Sequence, residues 1–544
     1  MWHDLFLVSP ILVVIVLGLV ALLAAVFTPK GTFKGWLGYV TAFGYVLGIA
    51  ATIFLWKQPP EGLAFTTSSF QKALVLDHFA LAMTLVILAG ALFITLSSVH
   101  YLPEQKADHG EFYGLVSFAT AGMIALVMAA DFLTFFIALE LMSISVYILA
   151  GFKRQSKFST ESAMKYFVLG SFASGLLLMG IAFVYGATGE VTFAGVGQAL
   201  TSVDDLPIEI AKLGMLLIVG AFFFKVAAAP FHMWTPDVYE GAPSTAAGFM
   251  AVAVKTAAFG GFARLMLTAF GSPEMRFADF AWEELIVIGA VLSMTIGNLM
   301  ALAQKNLKRM LAYSAIAHTG YLFLALVVVP QDGEAGLNAL GGGLVFYLLA
   351  YTLANAAAFG VAAAVSGADV EDVNEASYAG LAKRSPGLAL VLAIAMLSLL
   401  GIPLPAGFMG KLTIFGEVLD TRGDYLWLVI VAVVNSVISA WYYLRVILVA
   451  YMQDESAQKP IRLITSRPLA VSVGLAAAAT IVVGLLPSKA LGVSTRAGMS
   501  LARTTVPMLV DVPGGAGGVG AKPRASVTPA DDGHGHDHDH GHEH

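Results

Sequence analysis

Seven ionisable residues stand inside long apolar runs of this chain. Glu140 lies in DFLTFFIALELMSISVYILAGF, Lys165 near the start of the next run, Lys225 in LGMLLIVGAFFFKVAAA and Lys255 in MAVAVKTAAFGGF. Lys411 follows SLLGIPLPAGFMG, His232 sits in APFHMW, and His318 lies in SAIAHTGYLFLAL. At the centre of a membrane helix an ionised side chain costs about 2.5–3.5 kcal/mol, so three unpaired lysines would cost roughly 8–10 kcal/mol. Such residues must pair, be reached by water, or be partly neutral. Charged lysine only donates hydrogen bonds, and neutral lysine is a poor ligand for a hard cation that wants several oxygens. The row therefore points to protons rather than sodium.

Glu140 is the one acidic residue deep in the fourth to eighth apolar runs, which makes it the natural partner of Lys225. A contact of about 4 Å at an effective dielectric near 20 is worth about 4 kcal/mol and holds the lysine protonated. Separating the two would let Lys225 release its proton, a switch made of two residues. The remaining lysines form a row that water and the histidines would bridge. Plainer readings stand beside this one: Glu140 as a clamp between two helices, Lys165 as a snorkelling interfacial lysine, and His318 as a packing histidine. Ligation of haem by His232 and His318 has nothing else in the sequence to support it.

These residues are placed by helices, and two of the helices are interrupted. GAFFFKVAAAPFHMWTPDVYEGAP, Gly220 to Pro243, opens as the second half of an apolar helix, with Lys225 about two-thirds along it and Pro230 and His232 beyond. SLLGIPLPAGFMGKLTIF carries a second break at Pro403 and Pro405. A proline inside a helix removes one hydrogen bond and sterically breaks another. At membrane depth the freed groups must meet protein or water, so such a break lines a polar cavity. The alternative is two proline kinks that only ease packing.

The chain has 544 residues, 58% hydrophobic and 12% charged, with a mean hydropathy of +0.80. Apolar runs of about 17–25 residues require membrane-spanning helices, not the alternating segments of an outer-membrane barrel. The expected fold is an all-α polytopic membrane protein of about fourteen helices. They fall near 5–27, 35–56, 74–98, 111–130, 132–151, 162–186, 212–229 with a continuation to 241, 244–270, 285–303, 308–329, 338–365, 387–400 continuing to 419, 426–452 and 468–486. The broken helices are the seventh and twelfth. An offset of five reverses direction, so the spacing predicts two inverted five-helix repeats, each with a broken helix, an arrangement common in secondary transporters.

Lys30, Lys34, Lys153, Arg154, Lys157, Lys305, Lys308, Arg309, Lys383, Arg384, Lys459, Arg462 and Arg467 mark one set of loops. The other set holds Lys57 and Lys72, then scattered charges such as Arg276 and Arg422. The positive-inside rule places the rich set in the cytoplasm and both termini on the outer face. The chain divides into 1–110 (helices one to three), 111–270 (first repeat), 285–452 (second repeat), 468–486 (helix fourteen) and a polar tail from 487 to 544. That tail is read as disordered and ends in six histidines alternating with acids and glycines, which suit loose metal binding or simple solvation. There is no basic patch with interleaved aromatics, so nucleic acid is not an expected partner. Cysteine is absent, which excludes thiolate-held iron–sulfur clusters and covalent c-type haem.

LELMSISVYILAGF, MKYFVLGSFASGLLLMGIAFVYGATG, FKVAAAPFHMWTPDVYEGAP, NLKRMLAYSAIAHTGY and LSLLGIPLPAGFMGK together resemble the antiporter-like subunits of respiratory complex I, and among them the subunit N family of NADH-quinone oxidoreductase. The resemblance covers about helices four to thirteen. It implies the fourteen-helix fold and a proton channel built from Glu140, Lys165, Lys225, Lys255 and Lys411, with His232 or His318 bridging. The last position is typically glutamate in the sister subunit M, and subunit L would add a long lateral helix after the bundle, so Lys411 and the short tail favour N. The tail itself departs from the family pattern.

What the resemblance implies further is a membrane-arm subunit of a proton-translocating NADH:quinone oxidoreductase in a bacterial plasma (inner) membrane. No cofactor is expected in this chain; FMN, iron–sulfur clusters and quinone would sit in the parent complex. Subunits K and M would be its neighbours, with J and A also in the arm and lipid around it. A sodium/proton antiporter subunit and a structural scaffold of the arm are the rival readings.

Overall fold

A computed structural model of the chain describes residues 1–29, 31–202, 206–272, 275, 281–328, 337–366, 374–454 and 463–505. Lys30, Arg276, Lys459, Arg462 and the histidine-rich end lie outside the described residues.

Helices dominate. In chain order they are α1 (Ser9–Phe27), α2 (Trp36–Trp56), α3 (His78–Glu104), α4 (Glu111–Met128), α5 (Phe132–Ala150) and α6 (Lys157–Thr188). There follow α7 (Ile208–Lys225), α8 (Trp234–Gly241), α9 (Ser244–Ala269), α10 (Trp282–Leu302), α11 (Leu307–Val327) and α12 (Leu337–Val365). The chain continues with α13 (Pro386–Leu400), α14 (Ala406–Thr421), α15 (Leu426–Met452), α16 (Arg467–Leu485) and α17 (Pro487–Thr505). Among the described residues twelve helices are long and apolar enough to cross a membrane. The two expected spans outside that set are the seventh and twelfth, each split in two.

Burial is uneven in a way that defines the centre. The membrane-length windows of α9 and α11 are 100% buried and that of α12 is 94% buried, whereas those of α1, α15 and α16 are 33% buried. The enclosed helices are also less apolar than α1, because a helix surrounded by protein can carry polar side chains that a lipid-facing one cannot. Three enclosed helices thus carry Lys255, His318 and the tyrosines Tyr347 and Tyr351.

The first break comes earlier than the proline suggested. α7 ends at Lys225 itself, so this lysine is the last helical residue and not two-thirds of the way along. The cause is local: Ala227 takes a left-handed conformation (φ 60), which stops the helix before the cis Ala229–Pro230 bond is reached. In the second break Gly401 (φ 86) caps α13, and Leu404 (φ 103) again places a non-glycine residue at positive φ. Strained backbone of this kind persists where the surroundings over-determine it. α7 is held close against α6 by a glycine crossing, since a Cβ on Gly180 would lie 2.6 Å from the Gly214 carbonyl and one on Gly214 would lie 2.7 Å from that of Gly180.

One boundary needs correction. Residues 487–505, read from sequence as the start of a disordered polar tail, form α17 and pack against α3 and α12. Pro487 suits the first helical position, and Ser494, Ala497, Gly498 and Leu501 are buried at helical spacing. Phe79 N donates to Ser500 Oγ at 3.3 Å, tying the helix to the start of α3. A low average hydropathy concealed one apolar face.

Candidate functional site

Lys225, Lys255 and Lys411 are 7%, 3% and 5% exposed, so each must be satisfied from within the bundle. At the end of α7, Lys225 Nζ donates to Ser143 Oγ (2.8 Å) and to Tyr147 OH (3.0 Å), both on α5, and lies 5.5 Å from the centre of the Tyr147 ring. A hydrogen bond to a charged group contributes about 1.5–3 kcal/mol, so two of them offset a burial cost of about 2.5–3.5 kcal/mol.

The expected Glu140–Lys225 ion pair is therefore not formed, and neutral acceptors explain why none is needed. Glu140, half-buried, instead accepts a 2.5 Å hydrogen bond from Ser174 Oγ of α6. Ser143 and Tyr147 fall three and seven residues after Glu140, on the same face of α5. Lys225 thus rests on the carboxylate's own helix, one turn further along.

The residue after Lys225 makes the next link. Thr319 Oγ1 of α11 donates to the Val226 carbonyl at 2.6 Å, and Lys255 Nζ of α9 donates to that same Thr319 Oγ1 at 2.7 Å. Lys255 Nζ also reaches the Ala315 carbonyl (2.6 Å) and faces the Tyr351 ring at 5.6 Å. Immediately before Lys255, residues Met250–Val254 form a π-helical turn inside α9. Such turns widen the helix locally and are frequent at functional sites.

His318 belongs to a buried tyrosine cluster. Its Nδ1 lies 2.7 Å from Tyr347 OH and its Nε2 lies 3.1 Å from Tyr443 OH, which is in turn 2.5 Å from Ser314 Oγ. Every partner is a hydroxyl that both donates and accepts, so either tautomer is satisfied. The Tyr321, Tyr347 and Tyr351 rings all pack on the imidazole. Lys411, on the second turn of α14, donates to Ser436 Oγ and to the Leu400 carbonyl, each at 2.8 Å, and stands 4.7 Å from the Tyr321 ring centre. That carbonyl is one of those left free where α13 stops.

Two of the seven residues stand apart. Lys165 lies two turns into α6, which starts earlier than expected, and is half-exposed. It pairs with Glu161 (2.7 Å) and Asp237 (2.8 Å); Asp237 also binds Arg309 (2.7 Å), which reaches Glu240 (2.8 Å). This network borders an open cavity of about 160 Å³ between the start of α6 and α8. His232 lies in the first break, partly exposed, with a buried Nδ1 that has no hydrogen-bond partner among the described residues. No contact joins either of them to the buried lysines among the described residues.

The helpers Ser143, Tyr147, Thr319, Tyr347, Tyr443 and Ser436 were missed from sequence. Ser143 and Tyr147 were recoverable from their spacing to Glu140, whereas Tyr443 and Ser436 come from α15 and carried no local signal. The chain has no cysteine, and among the described residues no group of three His, Asp or Glu residues is placed to hold a metal ion.

The chain is similar to known proteins along most of its length. The family described as NADH:quinone oxidoreductase/Mrp antiporter, TM, matches residues 129–439. NADH-quinone oxidoreductase subunit N of Trichlorobacter lovleyi is 41% identical over 486 residues, 89% of this chain and 95% of the relative. A chain of respiratory complex I from Thermus thermophilus superposes with a TM-score of 0.73 at 32% identity, covering 89% of this chain and 99% of its own. A chain of the Mrp complex from a Dietzia species shares the fold, with a TM-score of 0.79 at 20% identity over 94% of this chain and 100% of its own.

Proposed function

This chain belongs to the NADH-quinone oxidoreductase subunit N family, and from that premise we propose that it is one proton channel in the membrane arm of a respiratory NADH:quinone oxidoreductase. It is a multi-pass membrane subunit of a complex-I-like translocase with charged residues buried at its centre. Redox chemistry on FMN, iron–sulfur clusters and quinone belongs to other subunits. Subunits K and M are its neighbours in the arm, with J and A nearby. The membrane is a bacterial inner membrane, and the lysine and arginine bias supports an orientation with both termini on the outer face.

The observation that carries the reading is the Lys225 position. Its amine sits on Ser143 and Tyr147, one turn from Glu140, and the adjoining Val226 carbonyl is linked through Thr319 to Lys255. In one state Lys225 swings toward Glu140 and is held as an ammonium by charge. In the other it rests on the neutral hydroxyls of Ser143 and Tyr147, from which the proton passes toward Lys255. A push from a neighbouring subunit on α5 biases the two positions. From Lys255 the proton passes through water and the His318–tyrosine cluster to Lys411 and the outer face. Lys165, on the opposite side near the arginine-rich loops, lies at the cytoplasmic mouth, with His232 at the first break as a water-accessible bridge.

The two breaks, five spans apart and each with a left-handed non-glycine residue, support an inverted-repeat architecture. The sodium reading finds less support. Carbonyls freed at the breaks are engaged by protein donors, Leu400 by Lys411 and Val226 by Thr319, rather than converging on an open cation site.

The test is donor-driven proton uptake in inverted membrane vesicles carrying Lys225→Met, with a native gel for assembly. Methionine keeps an unbranched apolar side chain and removes the titratable amine. An assembled complex whose pumping and quinone reduction fall together supports the relay. Unchanged pumping would return the lysine to a structural role.

A further inference from the structure

We propose that Glu417 of α14 is the outward proton acceptor of this channel, taking the proton that leaves Lys411 and delivering it to the outer face. The proposal rests on the relay reading above and adds a residue that neither the sequence analysis nor that reading includes.

The seam between α12 and α14 places it. Gly410 of α14 packs on Tyr347, where a Cβ would lie 2.6 Å from Tyr347 Cδ2. Seven residues on, and so on the same face, Glu417 packs on Gly343, where a Cβ would lie 2.4 Å from Glu417 Oε2. Tyr347 and Gly343 are four residues apart on α12, one turn along a single stripe. The stripe therefore begins at the tyrosine bonded to His318 Nδ1 and ends at a carboxylate. On the proposed orientation α12 enters from the outer side and α14 leaves toward it, so Glu417 lies outward of Tyr347.

The carboxylate has no counter-ion among the described residues. Glu417 Oε2 is enclosed against the Gly343 backbone, and no side chain among the described residues donates to it. Among them no cation pairs with it, although the neighbouring Arg422 pairs with Glu283 and Asp424. The absence of a side chain at Gly343 makes the space the carboxylate occupies. A half-buried carboxylate with one enclosed oxygen and no counter-ion on a lining helix is a functional-site signal in a membrane protein.

The step is a simple transfer. An N–H bond of the Lys411 ammonium breaks, the proton crosses through water along the seam, and an O–H bond forms on Glu417. Lysine is left as the neutral amine and glutamate as the neutral acid. The O–H bond then breaks toward outer water, restoring the carboxylate.

Glu417→Gln is the test, with donor-driven proton uptake and quinone reduction measured on complexes shown to be assembled. A severalfold fall in both, with recovery in Glu417→Asp, is expected; Gln uptake at the wild-type rate overturns the assignment. Treating the wild-type complex with a hydrophobic carbodiimide, which modifies protonated carboxyls, needs no variant. Mass spectrometry should find an adduct on Glu417, and modification of Glu140 with Glu417 untouched overturns the proposal. Lys225→Met measured alongside separates the two readings. If only Lys225→Met loses uptake, the relay stands without Glu417; if neither variant loses uptake, the relay itself fails.

Discussion

Lys255 Nζ and Thr319 Oγ1 are 2.7 Å apart, and the same hydroxyl donates to the Val226 carbonyl at 2.6 Å. One threonine thus holds the central lysine of α9 against the residue that follows Lys225. Thr319→Val keeps the shape and deletes the hydroxyl, leaving Lys255 with the Ala315 carbonyl. A lost hydrogen bond to a charged group is worth about 1.5–3 kcal/mol, or about a ten- to hundredfold change where it acts in the transition state. Proton uptake should fall within that range in an assembled complex, and Thr319→Ser should restore it. Wild-type uptake from the valine variant would remove the bridge from the mechanism.

Glu140 makes no bond to Lys225, and its recorded partner is Ser174. A clamp and a switch therefore respond differently to Glu140→Gln, because glutamine's carbonyl still accepts from Ser174 while the charge is gone. Assembly on a native gel should be unchanged and uptake should fall by at least about tenfold, the factor that about 1.4 kcal/mol produces. Loss of assembly with normal specific activity in the remainder would identify a clamp.

What the sequence made legible and what it hid follow from distance along the chain. The breaks, the buried lysines and His318 are features of single segments, readable from proline placement and apolar runs. Opposite charge is a poor guide to the partner of Lys225, because two hydroxyls on α5 already satisfy the ammonium. His318 is bonded by Tyr347 of α12 and Tyr443 of α15, and Lys411 by Ser436 of α15. Such pairings arise only when distant helices pack. α17 was lost to averaging, since its buried face is narrow and the rest of it is polar.

Arg264 on α9 shows a different use of buried charge. Its guanidinium grips Asp77, the N-cap of α3, in two bonds of 2.8 and 3.0 Å, and its Nε donates to the Val127 carbonyl. Removing one member of a buried pair leaves an uncompensated charge and costs about 3–5 kcal/mol. Asp77→Ala should therefore reduce the amount of assembled complex and its thermal midpoint, while the turnover of what does assemble stays near wild type. A normal melt for this variant would show that the pair carries no stability.

The second break sets Lys411 through Gly401. This glycine caps α13 at φ 86, and a Cβ there would lie 2.9 Å from Lys411 Cδ. Alanine in a left-handed conformation costs about 1–2 kcal/mol, and here its methyl also presses the lysine away from the Leu400 carbonyl it bonds at 2.8 Å. Gly416 on α14 is the control, because nothing lies within 4 Å of a Cβ placed there and its backbone is helical. Gly401→Ala should lower proton uptake together with quinone reduction, and Gly416→Ala should leave both unchanged. If the two variants behave alike, the Gly401 turn only ends a helix; if Gly401→Ala alone fails in an assembled complex, the turn positions the lysine through which the proton leaves.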